Sequence, residues 1–424
     1  MIELTRPYNF AILPHSTASR RIGINANLKR ISLYDGYTTK PICAMKVLAI
    51  IDNLSNGGGA ERLLVSLLPA LLRRGVRCDL AVIRDDHDLA EELESSGIRI
   101  HKLGVERLWS LHSSVLRLNR ICHRENYDIL WGNSYFGNLN AMLLRLLQPK
   151  RRALVFLQSA GYTAHPPKSL GHFLSMKIER ISGRYLSSRI VAVSRAMADD
   201  YRLAMGWEDI SVVNNCVSVK TLPPPMPPEH RPATRRSFGI PEDVFLLVVP
   251  ARFVPMKGHT VLLDALALLA KERAWRPFSV LAGRGPLLES LKDKAHGCGL
   301  DATVRFVDTL PQQHLFRMMQ AADAVVLPSL YEPFGIAAAE SMAMGIPTVV
   351  TDAYGFRDLV GEGDSAFKSL PGDARSLADA LWRVHGDAAL RAEVAVAGRK
   401  RIQDNFDADT IASAWHKIFA ATIA

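Results

Sequence analysis

Leu327-Pro-Ser-Leu-Tyr-Glu332-Pro-Phe-Gly335-Ile-Ala-Ala-Ala-Glu340-Ser-Met-Ala-Met-Gly345-Ile-Pro347 is the stretch from which the rest of the chain is read. The apolar run Ala324 to Leu327 before it is too short for a helix and suits a buried parallel strand. Pro333 and Gly335 make a turn, and Ile336 to Met344 reads as a tightly packed helix with alanine on its crowded side. Gly345 stops that helix, and Pro347 leads into a strand from Thr348 to Thr351. Two carboxylates therefore flank one helix start, Glu332 just before it and Glu340 about one turn inside. Unpaired N–H groups at a helix start attract an anion, most naturally a phosphate. Glutamates accept hydrogen bonds and repel phosphate, so these two should meet hydroxyls on either side of it, which describes a nucleotide sugar. The plainer reading is that both acids merely favour the N-terminal turn.

The spacing Glu332-Pro-Phe-Gly-Ile-Ala-Ala-Ala-Glu340 resembles the Glu-x7-Glu motif of retaining glycosyltransferases of family 4, which have the GT-B fold. The resemblance implies an α/β protein with two Rossmann-like domains facing each other across a cleft. It implies that Glu340 holds the donor's ribose hydroxyls and that Glu332 approaches the donor sugar. Other segments of the second half carry the same resemblance. The strand Phe245 to Val249 ends in Pro250-Ala-Arg252-Phe253-Val-Pro-Met-Lys257-Gly258-His259, followed by a helix through Leu269. A cation beside a glycine at a strand-to-helix turn suits a diphosphate. Arg252 and Lys257-Gly258 match the residues with which the family clamps the donor phosphates and the leaving group. Phe278 to Ala282 enters Gly283-Arg284-Gly285-Pro286, similar to the family's Gly-x-Gly-Pro turn near the nucleotide. Phe334, Gly335, Ile336 and Gly355 complete the donor-binding set that the resemblance implies. A UDP-sugar is expected in preference to GDP-mannose.

The first half alternates strands and helices from Lys46 to Val213, the rhythm of an open parallel sheet whose ligands collect beyond the carboxyl ends of its strands. After the strand Lys46 to Ile51 comes Asn56-Gly57-Gly58-Gly59-Ala60-Glu61-Arg62. Glycines there let a ligand approach bare backbone at a helix start. This is neither a dinucleotide fingerprint nor a P-loop. Gly-Gly-Ala-Glu-Arg is similar to the first loop of many family 4 enzymes, and Gly58 and Gly59 join the donor-side candidates. Ser134 and Asn138 follow a strand ending near Trp131 and are acceptor-side candidates. At the end of the strand Ala153 to Leu157, where many relatives place a histidine, this chain has Gln158. His165, seven residues further on, reads as a polar group near the acceptor or, the favoured reading, as an ordinary loop histidine, and Gln158 and His165 join the acceptor-side candidates. Glutamine can donate to a sugar hydroxyl but cannot act as an acid or base.

Leu170, Phe173, Leu174, Ile178, Ile181 and Tyr185 recur at helical spacing with Lys177, Arg180 and Arg184 among them. Such a pattern is either an interfacial helix with cationic flanks or, the favoured reading, a surface helix packed on its own sheet. Between Arg145 and Arg189 there are nine Lys or Arg against one acid, Glu179. An anionic membrane, or an acidic lipid-linked acceptor, fits that patch better than nucleic acid, for which no recognition module is present.

The chain of 424 residues is 48% hydrophobic and 22% charged with a net charge of +10, the composition of a globular protein long enough for two domains. Its five cysteines are scattered without metal-ligand spacing, and a reducing cytoplasm is their natural setting. No apolar span long enough to cross a bilayer is expected. Residues 1–44 read as a weakly patterned extension, partly disordered and without a secretory core. The acceptor domain is expected over 45–220 and a proline-rich linker over 221–234, where Leu222 to Pro232 should exclude helix. The donor domain is expected over 235–405, and a last helix over 406–424 that crosses back onto the first domain with Trp415 and Phe419 as anchors.

The resemblance implies transfer with retention, metal-independent and without cofactor, from a nucleotide-diphosphate sugar to a saccharide or lipid-linked saccharide in cell-surface polysaccharide synthesis. The leaving phosphate itself draws the acceptor's proton. A nucleotide-sugar 2-epimerase of similar fold, or a catalytically silent nucleotide-binding scaffold, are the alternatives. Oligomeric state is not legible.

Overall fold

The computed structural model describes residues 45–55, 58–106, 110–158, 162 and 169–424. The N-terminal extension, Gly57 and His165 lie outside the described residues. Two parallel sheets carry the chain. The first contains β1 (Lys46–Ile51), β2 (Arg77–Val82), β3 (Ile100–Lys102), β4 (Ile129–Gly132), β5 (Arg152–Leu157), β6 (Arg189–Ala192) and β7 (Ile210–Val212), in the order β3-β2-β1-β4-β5-β6-β7. The second contains β8 (Leu246–Pro250), β9 (Phe278–Ala282), β10 (Val304–Val307), β11 (Ala324–Leu327), β12 (Thr348–Thr351) and β13 (Phe367–Ser369), in the order β10-β9-β8-β11-β12-β13. Sequences such as Val-Leu-Ala-Ile-Ile and Leu-Leu-Val-Val are continuous apolar runs because helices cover both faces of each sheet. The architecture is α/β with two Rossmann-like lobes.

In each sheet the strand order reverses once, beside β1 and β4 in the first and beside β8 and β11 in the second. Loops leaving such a pair diverge to opposite faces and open a crevice at the strands' carboxyl ends. The chain places Gly58-Gly59 and Ser134 at the first reversal, and Arg252 and Glu332 at the second.

The helix Ala408–Ile423 lies on the first lobe. Trp415 packs against Trp131 and Phe156, with ring centroids 4.5 and 4.8 Å away, and Phe419 lies 5.2 Å from Trp131. All four aromatic side chains are fully buried. The crossing is pinned where Val217 and Asp407 bridge, with Val217 N donating to Phe406 O and Ala408 N to Val217 O, at 3.1 and 3.0 Å. Asp409 then pairs with Arg73 and Lys220, each at 2.8 Å.

Two expectations need correcting. The proline-rich stretch does not exclude helix: a turn at Pro228–His230 runs into a helix, Arg231–Ser237. Pro232 sits in its first turn, where the missing N–H costs nothing. The second correction concerns the helix Leu170–Leu186. Its buried residues are Glu179, Ser182 and Gly183, and the apolar stripe that should pack on the sheet faces outward.

Candidate active site

At the end of β8 the chain runs through exposed Arg252 and buried Phe253 into a short turn, Pro255–Lys257, and then the helix His259–Arg273. Gly258, between turn and helix, has φ +67°, and a Cβ there would run into the carbonyl oxygen of Pro328. Only glycine lets Lys257 come this close to the loop after β11. Lys257 Nζ meets Glu332 Oε2 at 2.5 Å, and Ser329 Oγ donates to the same oxygen at 3.2 Å. Glu332 is buried, and its carbonyl accepts from Gly355 N at 2.9 Å. Gly355 thus buttresses the loop that holds Glu332. The helix Ile336–Ala343 follows directly, with Gly335 at φ +98° turning the chain into it. Phe334 is buried against Phe406, its ring centroid 5.5 Å away, and fixes that turn from behind.

The turn Gly283-Arg284-Gly285-Pro286 rests on the main chain of Phe253. Phe253 N donates to Arg284 O at 2.9 Å, and Leu287 N to Phe253 O at 3.1 Å. Gly283 N reaches Val307 O at 3.0 Å, Leu288 N donates to Gly285 O at 3.2 Å, and Pro286 is exposed. The turn therefore stands immediately beside Arg252. Behind it, His259 is buried with neither ring nitrogen partnered, and burial together with nearby Lys257 pushes it down to about 4. It is neutral and adds no charge to the site.

The first lobe closes this arrangement. Gly58 caps the helix Gly59–Arg73, and a methyl on Gly59 would lie 3.6 Å from Ile336 Cδ1 of the second lobe. Two helix N-termini thus approach each other, flanked by Arg252 and Lys257. A short chain of polar groups crosses beside them: Arg62 Nη1 donates to Gln312 Oε1 at 2.5 Å, and Gln312 in turn hydrogen-bonds Glu340. Burial pushes the Glu340 carboxyl up to about 7, with Arg62 and Gln312 pulling the other way. Burial also raises Glu61 and Asp52 above the usual carboxylate range; Arg252 opposes this at Glu61, and a hydrogen bond from Ser134 at Asp52. Arg62 and Gln312 escaped the sequence reading as site residues, because they lie 250 positions apart and no local spacing links them.

Beyond β4 and β5 the first lobe holds a cavity of about 640 Å³. Ser134, Asn138 and Gln158 line it, but much of their bonding capacity is used by the fold. Ser134 is the N-cap of the helix Tyr135–Leu147, accepting from Gly137 N at 3.1 Å and donating to Asp52 Oδ1 at 2.5 Å. Both ends of the Asn138 amide are held by Phe156, whose main-chain N–H and C=O lie 3.1 Å from Oδ1 and Nδ2. Gln158 Nε2 donates to Asn133 O at 3.0 Å, while its buried Oε1 has no protein partner. The cavity's polar floor is Glu179, which takes hydrogen bonds from Tyr162 and, at 3.4 Å, from Tyr201. Burial pushes its carboxyl up to about 7, with both tyrosines drawing it down. The one signal for Glu179 in the sequence was its isolation as the sole acid in a basic stretch.

The family model for Glycosyltransferase Family 4 matches residues 57–221, and that for Glycosyl transferases group 1 matches residues 230–401. The chain belongs to the family 4 glycosyltransferases. A lipopolysaccharide core biosynthesis glycosyltransferase, LpsD of Rhizobium meliloti strain 1021, is 28% identical over 90% of this chain and 99% of its own. A D-inositol 3-phosphate glycosyltransferase of Jonesia denitrificans is 31% identical over 46% of this chain and 48% of its own. Among solved structures, Anabaena Alr3699/HepE in complex with UDP-glucose superposes with a TM-score of 0.77 at 22% identity, covering 89% of this chain and all of that one. The outer core galactosyltransferase WaaB superposes with a TM-score of 0.64 at 20% identity over 89% of this chain. These likenesses establish the two-lobed GT-B fold of this glycosyltransferase. Among its described residues no helix is long and apolar enough to cross a membrane.

Proposed function

We propose that this glycosyltransferase moves a sugar, with retention, from a UDP-sugar to a saccharide or lipid-linked saccharide acceptor in cell-surface polysaccharide synthesis. The observation that carries the reading is the meeting of two helix N-termini at Gly59 and Ile336, with Arg252 and Lys257 beside them. Fixed N–H dipoles and cations at such a point favour the charge that develops on a departing diphosphate. Arg252 takes the forked contact and Lys257 the point charge on the phosphates. Glu332, already holding Lys257, faces the donor sugar, and Glu340 accepts from the ribose hydroxyls. The glycine turn from Gly283 to Pro286, with Phe334, Gly335, Ile336 and Gly355, shapes the nucleotide pocket.

In the transfer step the bond from the sugar's anomeric carbon to the diphosphate breaks, and one to the acceptor oxygen forms on the same face. The acceptor's proton passes to the leaving phosphate, so no second carboxylate acting as acid or base is required. Among the described residues no three His, Cys, Asp or Glu side chains gather as a metal-ligand set. With fixed amides and cations assigned to the leaving group, the reaction is proposed to need neither metal nor cofactor. The UDP preference draws on HepE, solved with UDP-glucose, and the polysaccharide context on LpsD. The basic surface of residues 145–189 suits an anionic membrane, and we place the enzyme on the cytoplasmic face of one.

The test is a panel of UDP- and GDP-sugars offered with a lipid-diphosphate sugar acceptor, with and without excess EDTA. A UDP-sugar should be consumed, with the anomeric configuration kept, and chelation should leave turnover intact. Loss of activity restored by magnesium or manganese, or consumption of GDP-mannose alone, would contradict the proposal.

A further inference from the structure

The helix Leu170–Leu186 wears its faces the wrong way round for a soluble lobe. Leu170, Phe173, Leu174, Ile178, Ile181 and Tyr185 are between 44% and 83% exposed, whereas polar Glu179 and Ser182 are buried. At 100° per residue the six exposed side chains fall within roughly 140° of the helix circumference, a continuous outward stripe. Lys177 and Arg184 fall within that arc, between Phe173 and Leu170, and Arg180 lies at its edge, all exposed. Lys177 Nζ lies 5.2 Å from the Phe173 ring centroid and the Arg184 guanidinium 5.8 Å from that of Tyr185, so cation and apolar surface form one face. At the helix end Arg145 Nη1 donates to Leu186 O at 3.0 Å, bringing alongside the end of the helix Tyr135–Leu147 with its exposed Leu146 and Leu147. The opposite face of the same helix, through His172, Ser175 and Glu179, lines the 640 Å³ cavity.

We infer that the helix Leu170–Leu186 beds its outward stripe into the interface of an anionic bilayer and thereby holds the cavity beside a membrane-borne acceptor. The inference rests on the lipid-linked acceptor proposed above and identifies the element that meets the lipid. The charge pattern selects the occupant. The helix's only acid is turned inward, so the outer face offers lysine and arginine around apolar side chains, as an anionic interface requires. A second copy of the chain is disfavoured, because a two-fold contact would set this face against itself and oppose like charges. One helix diameter with side chains, roughly 10–12 Å, would separate the lipid surface from the cavity. That is a short reach for a saccharide carried on a lipid diphosphate.

Flotation with phosphatidylcholine vesicles, with and without phosphatidylglycerol, tests this on wild type and on a combined Phe173→Ser, Ile178→Ser, Ile181→Ser variant. The wild type should float with phosphatidylglycerol vesicles at least about tenfold better than the variant, and part of its binding should survive high salt, since apolar insertion is not screened. An environment-sensitive label on Ile178→Cys, with Cys43 and Cys298 replaced by Ser, should shift to the blue on vesicles. The same label on Val396→Cys, exposed in the second lobe, should not. Equal flotation of wild type and variant, or no shift at position 178, overturns the inference. So does a wild type that self-associates through the stripe without floating. UDP titration into the variant should match wild type. A wild type that floats through the helix yet binds no UDP would contradict the donor-site reading while supporting this surface.

Discussion

In the second lobe the expected donor residues sit in strand-to-helix turns or in the helix that follows, whereas the cavity of the first lobe has walls from segments as far apart as Ser134 and Tyr201. The lobes share one topology, so the difference lies in how each makes its site. A diphosphate can be held by backbone N–H groups and one or two cations, all supplied within a dozen residues of a strand end. An acceptor pocket needs shape, and shape comes from packing helices that are distant in sequence. If the first-lobe cavity receives the acceptor, as proposed, donor chemistry is local and acceptor chemistry is tertiary. The two meet where Arg62 of the first lobe reaches Gln312 and, through it, Glu340.

The hardest blow to this contrast should come from Lys257→Ala. If the second lobe neutralises the leaving group, turnover should fall roughly 100- to 1000-fold, as when one preorganised transition-state donor is removed, with a smaller loss of UDP affinity. Steady-state kinetics beside equilibrium binding separate the two. Equal losses in both would make Lys257 a ground-state contact only. Arg62→Ala probes the junction. It removes a partly buried hydrogen bond, so the donor KM should rise roughly two- to tenfold with kcat little changed. A fall in kcat alone would mean that the first lobe takes part in leaving-group chemistry.

The smallest effect is expected from Glu179→Gln, read as stability. The folded state holds the Glu179 proton up to about 7, above the ordinary glutamate range, because the carboxyl is buried. Between that ordinary range and about 7 the folded chain binds more protons than the unfolded chain, so stability falls as pH rises through this window. The variant lacks that loss. Its Tm relative to wild type should be higher at pH 8 than at pH 5 by a few degrees. A difference that does not depend on pH would show that Glu179 is not a buried acid of the first-lobe cavity.

The strands were legible because parallel strands buried on both faces are plain apolar runs bounded by glycine and proline. Lys46–Ile51, Phe278–Ala282, Ala324–Leu327 and Thr348–Thr351 fall at the expected bounds for that reason. Periodicity misled at Leu170–Leu186. A helical repeat of apolar residues reveals that a stripe exists but not which way it points, since direction is set by what the other face packs against. Here Glu179 has the cavity's tyrosines to bond with and takes the inside. The helix Arg231–Ser237 was missed because proline was weighed by number rather than by its place in the first turn. The link from Arg62 to Glu340 joins both lobes and leaves no trace in any local spacing.

Glu340 is the carboxylate where the donor motif and the lobe junction coincide. Isothermal titration of UDP into wild type and Glu340→Ala, near pH 8 where the carboxyl is ionised, isolates its role without acceptor or turnover. A charge-assisted hydrogen bond to the ribose is worth roughly 1.5–3 kcal/mol, so affinity should drop about 10- to 150-fold in the variant. Unchanged affinity would remove the ribose from Glu340 and with it the placement of the nucleotide in the second lobe.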